Sequence, residues 1–406
     1  MTDRPARLSG ETVLQRFPEL NLQLVSTGGL RVEADGRVVD CRSHGLAILE
    51  AVARPTPLGE GLAQLRGRIV GAHDWVELMD TIASLHAAGI LVDPRLRPIL
   101  RSGPHGFDTA GAHFAMLDDR GRTEGFLTGI RRTVRPGDVV VDLGTGTGVL
   151  ALAAARAGAA RGYAIEASGI AAVARRLFQA NGLADRITLV EGWSTRVTLP
   201  ERADVLVSEI VGNEPFGEAV LEFFSDARRR FLKAGARVVP RRLRVFGTPV
   251  TVPPAVLRSH GVTGATVARW RRWYGFDFGP LVEAARRTPG HFYLNPWRAR
   301  TWPTLTDPVP LVDVDFTRAR SARPQARRRV EAGRAGVLGG LLLHFELDTG
   351  GATITTEPGR VRKDNCWLSP VWLTDTPSSV RRGDPLVVAY TRGRHGSRAS
   401  CRLAKP

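Results

Sequence analysis

"VVVDLGTGTG", residues 139–148, decides the fold. The apolar run Val139–Leu143 has the composition of a buried strand, Gly144, Gly146 and Gly148 follow at once, and "VLALAAARAG" (149–158) then reads as a helix. Glycines between a strand and a helix let the backbone turn sharply and come close to a ligand, with the N-terminus of the helix beyond. Outward from this turn, "GYAIEA" (162–167), "ITLVEG" (187–192) and "ADVLVSE" (203–209) are further apolar strands separated by helical stretches. Strand and helix alternating from about 107 to 245 predict an α/β fold, with a parallel sheet covered on both faces.

The flanking blocks differ. From 246 to 406, the short runs "LVDVDF" (311–316), "GLLLHFEL" (340–347), "TITTEP" (353–358), "VWLTD" (371–375) and "PLVVAY" (385–390) lie between turn residues and predict an antiparallel β-barrel or sandwich. Within it, the arginine-rich run 318–336 reads as a solvated loop or an edge strand. In residues 1–94, "LRVEADGRVVDCR" (30–42) predicts a hairpin turning at Asp35-Gly36. Leu46, Leu49 and Ala53 keep helical spacing, as do Leu78, Ile82 and Leu85 before Gly89 ends the helix and "ILVD" (90–93) resumes extended chain. Strands, helices and a closing strand within that length predict a small winged helix. The Pro-, Gly- and Arg-rich "DPRLRPILRSGPHG" (93–106) predicts a linker.

Charge is unevenly spread. The chain carries a formal +17 over 406 residues, and all but three of its 57 basic residues (Lys233, Lys363, Lys405) are arginine. Residues 1–94 hold 9 arginines against 12 acids, a net of −3, so the rest of the chain carries +20. A DNA-binding winged helix needs clustered cations against phosphates; this mildly acidic block argues against nucleic acid and for a peptide partner. No apolar run approaches the roughly 18 residues that span a membrane, and "MTDRPARL" has no secretory apolar core, so a cytoplasmic protein is expected. Cys41, Cys366 and Cys401 are distant and outside any metal-ligand spacing, so reduced thiols and no metal are expected.

Chemistry concentrates at three places. Glu166 ends the strand after the glycine turn, where a carboxylate accepts hydrogen bonds from ribose hydroxyls, of NAD or of another nucleoside cofactor. In "HFAMLDDRGRTEGF" (113–126), Met116, Asp119 and Arg122 step by three on a helix, and Arg122 presents a fork suited to a carboxylate. In "SEIVGNEPFGE" (208–218), Glu209, Glu214 and Glu218 follow a buried strand. Two close carboxylates repel unless they share a cation.

Taken in order, H-x-x-M-L-x-D-x-x-R-T, D-x-G-x-G-x-G and S-E with a second glutamate nine residues later resemble the protein arginine methyltransferases, class I S-adenosylmethionine-dependent enzymes. "YGFDFGPL" (274–281) is similar to part of their dimerisation arm, placed at about 267–300, and "CWLSPVWL" (366–373) to their C-terminal barrel. The resemblance covers about 107–395. It implies a Rossmann-like domain (95–245), a barrel domain with dimerisation arm (246–406) and a homodimer. Asp142, Gly144, Gly146, Gly148, Glu166, Arg122 and Thr195 would bind S-adenosylmethionine, leaving S-adenosylhomocysteine. Glu209 and Glu218 would be catalytic, gripping a guanidinium whose pKa lies above about 12. Met116, Asp119, Glu214 and Trp367 would meet the substrate.

The sequence departs from that pattern at the substrate side. Asn365-Cys366-Trp367 replaces Thr-His-Trp, removing the histidine that pairs with the aspartate matching Asp119. "GFDTAGA" (106–112) replaces an aromatic-rich stretch, and Asn213, Pro215 and Gly217 stand where larger residues are common. Thr195 replaces a carboxylate near the adenine. An amine would suit such a pocket as well as a guanidinium. Residues 1–94 resemble the PqqD-type domains that hold the leader of a ribosomally made precursor peptide, or serve as a packing domain. N-methylation of a peptide, as in daptide-type maturation, is the expected activity. Methylation of arginine in cellular proteins, and a winged-helix regulator with a degenerate methyltransferase domain, are the alternatives.

Overall fold

Alternating apolar residues fold the first stretch of chain into short strands around a small core. The computed structural model describes residues 8–17, 20–25, 29–34, 37–94, 110–260, 264–281, 283, 290–318, 323–393 and 396–404, and it divides into two compact units, 1–106 and 107–406. The first contains β1 (Val13–Arg16), β2 (Asn21–Leu24), β3 (Leu30–Ala34), β4 (Arg37–Cys41), α1 (Gly45–Ala51), β5 (Thr56–Pro57), α2 (Leu58–Leu65), α3 (Ala72–Ala87) and β6 (Leu91–Val92). β2, β3 and β4 form an antiparallel meander, and β1 pairs with β5 and β6. Ala34 lies opposite Arg37, as a two-residue turn requires; Asp35-Gly36 themselves, and the linker from Arg95 on, fall outside the described residues.

Leu78, Ile82 and Leu85 are buried in that unit's core with Leu14, Val32, Ile48 and Leu49. The stripe expected at Leu46, Leu49 and Ala53 is corrected. α1 stops at Ala51, turns Leu46 to solvent at 59% exposure and buries Ile48 beside the expected Leu49.

The second unit opens with α4 (Ala110–Asp118) and α5 (Arg120–Thr133). β7 (Val139–Leu143), α6 (Val149–Arg156), β8 (Arg161–Glu166), α7 (Ala171–Ala180), β9 (Ile187–Glu191), β10 (Ala203–Ser208), α8 (Val220–Arg230) and β11 (Leu232–Val239) follow. The strands form the expected parallel sheet, ordered β11-β10-β7-β8-β9. All five residues of β7 are buried, because both sheet faces are covered. The strand order reverses beside β7, where α/β sheets open a crevice at their C-terminal edge.

The chain then passes through β12 (Arg242–Val250), α9 (Pro254–His260), α10 (Gly264–Tyr274), β13 (His291–Leu294), β14 (Val309–Asp315), β15 (Gln325–Glu331), β16 (Gly336–Asp348), β17 (Thr353–Thr355), β18 (Ser369–Val380), β19 (Pro385–Gly393) and β20 (Gly396–Leu403). One antiparallel sheet runs β13-β18-β16-β12-β14 with β17 on β16; a second runs β15-β19-β20. The antiparallel region begins at Arg242, a few residues before the expected boundary at 246. The two sheets meet at Gly247, where a methyl group would lie 3.0 Å from Leu311 and 3.4 Å from Val388. The arginine-rich run is in part the edge strand β15.

α5 carries Gly125 on its inner face because β17 lies against it: an added Cβ would sit 2.6 Å from Ile354, and the Thr349 hydroxyl donates to the Gly125 carbonyl at 3.0 Å. Parallel and antiparallel regions are therefore packed together within this unit. Among the described residues no helix is long and apolar enough to cross a membrane.

Candidate active site

The turns after β7, β8 and β10 converge at the crevice. Gly144 and Gly146 have φ of +72° and +55°, a region that side chains with a Cβ enter at a cost. A methyl group would also meet Ile210 at 2.8 Å from Gly144, and His113 at 3.0 Å from Gly146. Gly148 caps α6 and is closed by the ring of Phe178. Below the turn, Asp142 accepts the Thr145 hydroxyl, and burial pushes its carboxyl up to about 7.

Glu166, at the end of β8, accepts the Gly146 N–H at 2.8 Å and the Ser168 N–H at 2.9 Å, one on each oxygen. A carboxylate offers about four acceptor positions, so each oxygen can take another donor. Thr195 is buried in the turn after β9. Arg230 donates to the carbonyls of Ser194 and Val197 and pairs with Asp226, which fixes that turn.

Arg122 sits in the first turn of α5. Asp119 caps the helix, its Oδ1 accepting the Arg122 N–H at 3.0 Å. The buried Arg122 guanidinium pairs through Nη2 with Glu209, donates through Nη1 to the Met116 carbonyl at 3.2 Å, and reaches the Met116 sulfur at 3.6 Å. It lies 5.4 Å from the ring centroid of Trp367. Burial lowers its pKa from the ordinary guanidinium value. Its Nε–H is buried without a partner, which in a low-dielectric site is costly unless a ligand accepts it.

Glu209 and Glu218 flank a loop that doubles back. Glu218 Oε1 would lie 2.6 Å from a Cβ at residue 212, so a side chain there would push the carboxylate aside. Burial pushes the Glu218 carboxyl up to about 7, opposed by the positive charge of Arg122. The next residue, Ala219, is held at φ +56°, a left-handed conformation that costs a non-glycine residue of order 1 kcal/mol. The loop thus spends local strain to aim Glu218.

Several hydrogen bonds staple this loop to the antiparallel region. The Trp367 indole donates to the Val211 carbonyl at 2.7 Å, the Leu368 N–H to Asn213 Oδ1 at 2.7 Å, and the Tyr390 hydroxyl to Glu214 Oε1 at 2.8 Å. Glu214 Oε2 accepts the Phe216 N–H at 3.2 Å.

Three residues expected at the substrate also have partners within the frame of the site. Glu214 has both oxygens engaged, Trp367 is 5% exposed beneath the loop, and Asp119 spends its second oxygen on the Cys366 N–H at 3.0 Å. This last bond replaces the aspartate–histidine pair that the sequence lacks. Met116 does lie beside Arg122 and Glu209. Tyr390 and Ser168 were not singled out from sequence, and Asn213 only as a departure from the family's loop. Period-two alternation turns Tyr390 inward, but its partner is 176 residues away. The residues 106–109, where an aromatic-rich stretch is missing, fall outside the described residues.

Residues 119–239 match the family described as Ribosomal protein L11 methyltransferase (PrmA). The chain is similar to an Arginine N(omega)-methyltransferase of Streptomyces achromogenes subsp. streptozoticus, at 34% identity over 284 residues, 68% of this chain and 74% of that protein. Its fold is similar to that of the Trypanosoma brucei PRMT1 enzyme-prozyme heterotetrameric complex with AdoHcy (TM-score 0.63, 21% identity, 74% of this chain and 95% of that one). Arabidopsis thaliana protein arginine methyltransferase 10 is similar too (TM-score 0.59, 22% identity, 74% and 99%).

Proposed function

The chain belongs to the arginine N-methyltransferase family of S-adenosylmethionine-dependent enzymes, and on that premise we propose that it methylates a guanidinium nitrogen of an arginine in a peptide. The observation that carries this reading is the half-buried Glu218 carboxyl in the field of Arg122, which is itself paired with Glu209.

The residues fit the cofactor. Gly144 and Gly146 open the backbone to it, Glu166 keeps acceptor positions for its ribose, and the unpartnered Nε–H of Arg122 awaits its carboxylate. Bound S-adenosylmethionine supplies an electrophilic methyl group on a sulfonium. The two glutamates have unequal parts. Glu209 is already paired with Arg122, so it serves as a fixed anion that orients one edge of the substrate guanidinium. Glu218, with a carboxyl near 7, grips the other edge and accepts the proton that the methylated nitrogen releases.

Incubation with cofactor and matched arginine and lysine peptides, read by mass spectrometry, tests this. Added 14-dalton units on the arginine side chain are expected. Methylation confined to amines, or none at all, overturns the guanidinium assignment.

The setting we propose is peptide maturation, with residues 1–94 as a winged-helix-like module that holds a leader peptide. Its support is the free edge of β4, with Val38 exposed on that strand and Trp75 and Val76 exposed on α3; an extended peptide can extend such an edge. Homodimerisation is supported by Trp273, Tyr274, Phe276 and Leu281, all exposed along α10 and the segment after it. Solvent exposure of so many apolar side chains in a row is unfavourable in a monomer.

A further inference from the structure

The arginine-rich strand β15 has no part in the chemistry above. It edges the sheet β15-β19-β20, whose side chains alternate between two faces. One face buries Ala326, Tyr390 and Ala399, and from it Tyr390 reaches Glu214 of the glutamate loop. The opposite face carries Arg327 and Arg329 from β15 and Arg398 and Arg402 from β20, all exposed, with one acid, Glu331, at the end of β15. Register sets Arg329 level with Arg402 across Val387, and Arg398 level with Gln325 across Thr391. Among the described residues, no ion pair or side-chain hydrogen bond engages any of these four guanidinium groups.

Elsewhere on the strands the pattern is different. Arg242 pairs with Asp313 and Arg244 with Glu346 across neighbouring strands. Like charges collected on one sheet face repel one another, and an anion arriving from outside relieves that repulsion. Among the described residues the face offers no aromatic side chain on which bases would stack, which favours carboxylates of a polypeptide over single-stranded nucleic acid. Arg327 and Arg329 are two residues apart on an extended strand, so acids at alternate positions of an extended peptide match their spacing.

We propose that this arginine face docks an acidic stretch of the polypeptide substrate while its target arginine occupies the glutamate pair on the other side of the sheet. The inference rests on the peptide reading given above.

Two fluorescein-labelled peptides test it on the full-length protein with S-adenosylhomocysteine present. Each has one central arginine, flanked by glutamates in one and by glutamines in the other. The glutamate peptide is expected to bind about tenfold tighter or more, with a preference that fades as salt screens the charges. Arg327→Glu/Arg329→Glu/Arg402→Glu should erase the preference while S-adenosylhomocysteine binding, which reports folding, is retained. Arg131→Glu/Arg132→Glu/Arg176→Glu makes the same change in net charge at exposed sites on α5 and α7 and should preserve it. A preference untouched by the first triple variant, or erased equally by the second, overturns the proposal. So does a short DNA duplex that binds the wild type more tightly than the peptide does and is lost in the first triple variant. Methyl transfer is read separately: normal binding with no transfer to either peptide counts against the guanidinium reading and leaves the docking face standing.

Discussion

At the scale of single residues, the site is governed by where burial leaves charge. Arg122 is neutralised by Glu209, whereas Glu218 has only the field of that arginine against its own desolvation. Its carboxyl therefore titrates near 7 instead of at the ordinary 4.5. If Glu218 accepts the departing proton, kcat/KM, which reports the free enzyme, should rise with pH to a plateau with an apparent pKa near 7. A flat profile from pH 6 to 8.5 contradicts that role. The same shift acts on stability with a definite sign. Between 4.5 and about 7 the folded protein keeps a proton that the unfolded chain has lost, so stability falls as pH rises through this window. Glu218→Gln should consequently melt higher than wild type at pH 8, by roughly 2 to 5 °C, in a calorimetric scan. The glutamates themselves were legible in sequence, because nine-residue spacing after a buried strand is a local pattern. The division of labour between them was not, because it depends on Arg122, which reaches Glu209 from α5, far earlier in the chain.

Among elements, the decisive feature is the loop between β10 and α8, held by side chains from the antiparallel region. The Tyr390 hydroxyl and the Leu368 N–H meet Glu214 and Asn213 at 2.8 and 2.7 Å. Removing a hydrogen bond to a buried carboxylate leaves it unsatisfied, at a cost of about 1–3 kcal/mol. Tyr390→Phe is therefore expected to lower kcat about tenfold while the affinity for S-adenosylhomocysteine stays within a factor of about three. Unchanged turnover would show that the loop holds its shape without that bond. Strands β7 to β10 could be read from apolar composition alone, and so could β14, β16 and β19. β12, β13 and β20 went unread, and β15 was left between loop and edge strand, since exposed arginines and short lengths dilute their alternation. Position in a motif could not show that Asp119, Glu214 and Trp367, each expected at the substrate, also hydrogen-bond to partners far along the chain.

For the whole molecule, the chain divides into two compact units. Since residues 1–106 pack around their own core, a 107–406 fragment should fold and methylate a short arginine peptide with kcat within about threefold of the full chain, while a substrate that needs its leader held should lose most of its advantage. A fragment that folds but is inactive on the short peptide contradicts that independence. The exposed aromatic segment after α10 should make the protein dimeric in sedimentation equilibrium, and Trp273→Ala/Phe276→Ala should shift it toward monomer; a monomeric wild type contradicts the arm. Comparing Glu218→Gln with wild type, by methyl transfer to an arginine peptide and by calorimetric titration of S-adenosylhomocysteine, separates the nitrogen-binding half of the site from the cofactor half. A loss of transfer of 100-fold or more with nearly unchanged affinity is expected, the usual scale for removing a positioned proton acceptor. Full transfer by the variant would contradict the assignment of the paired glutamates to the substrate.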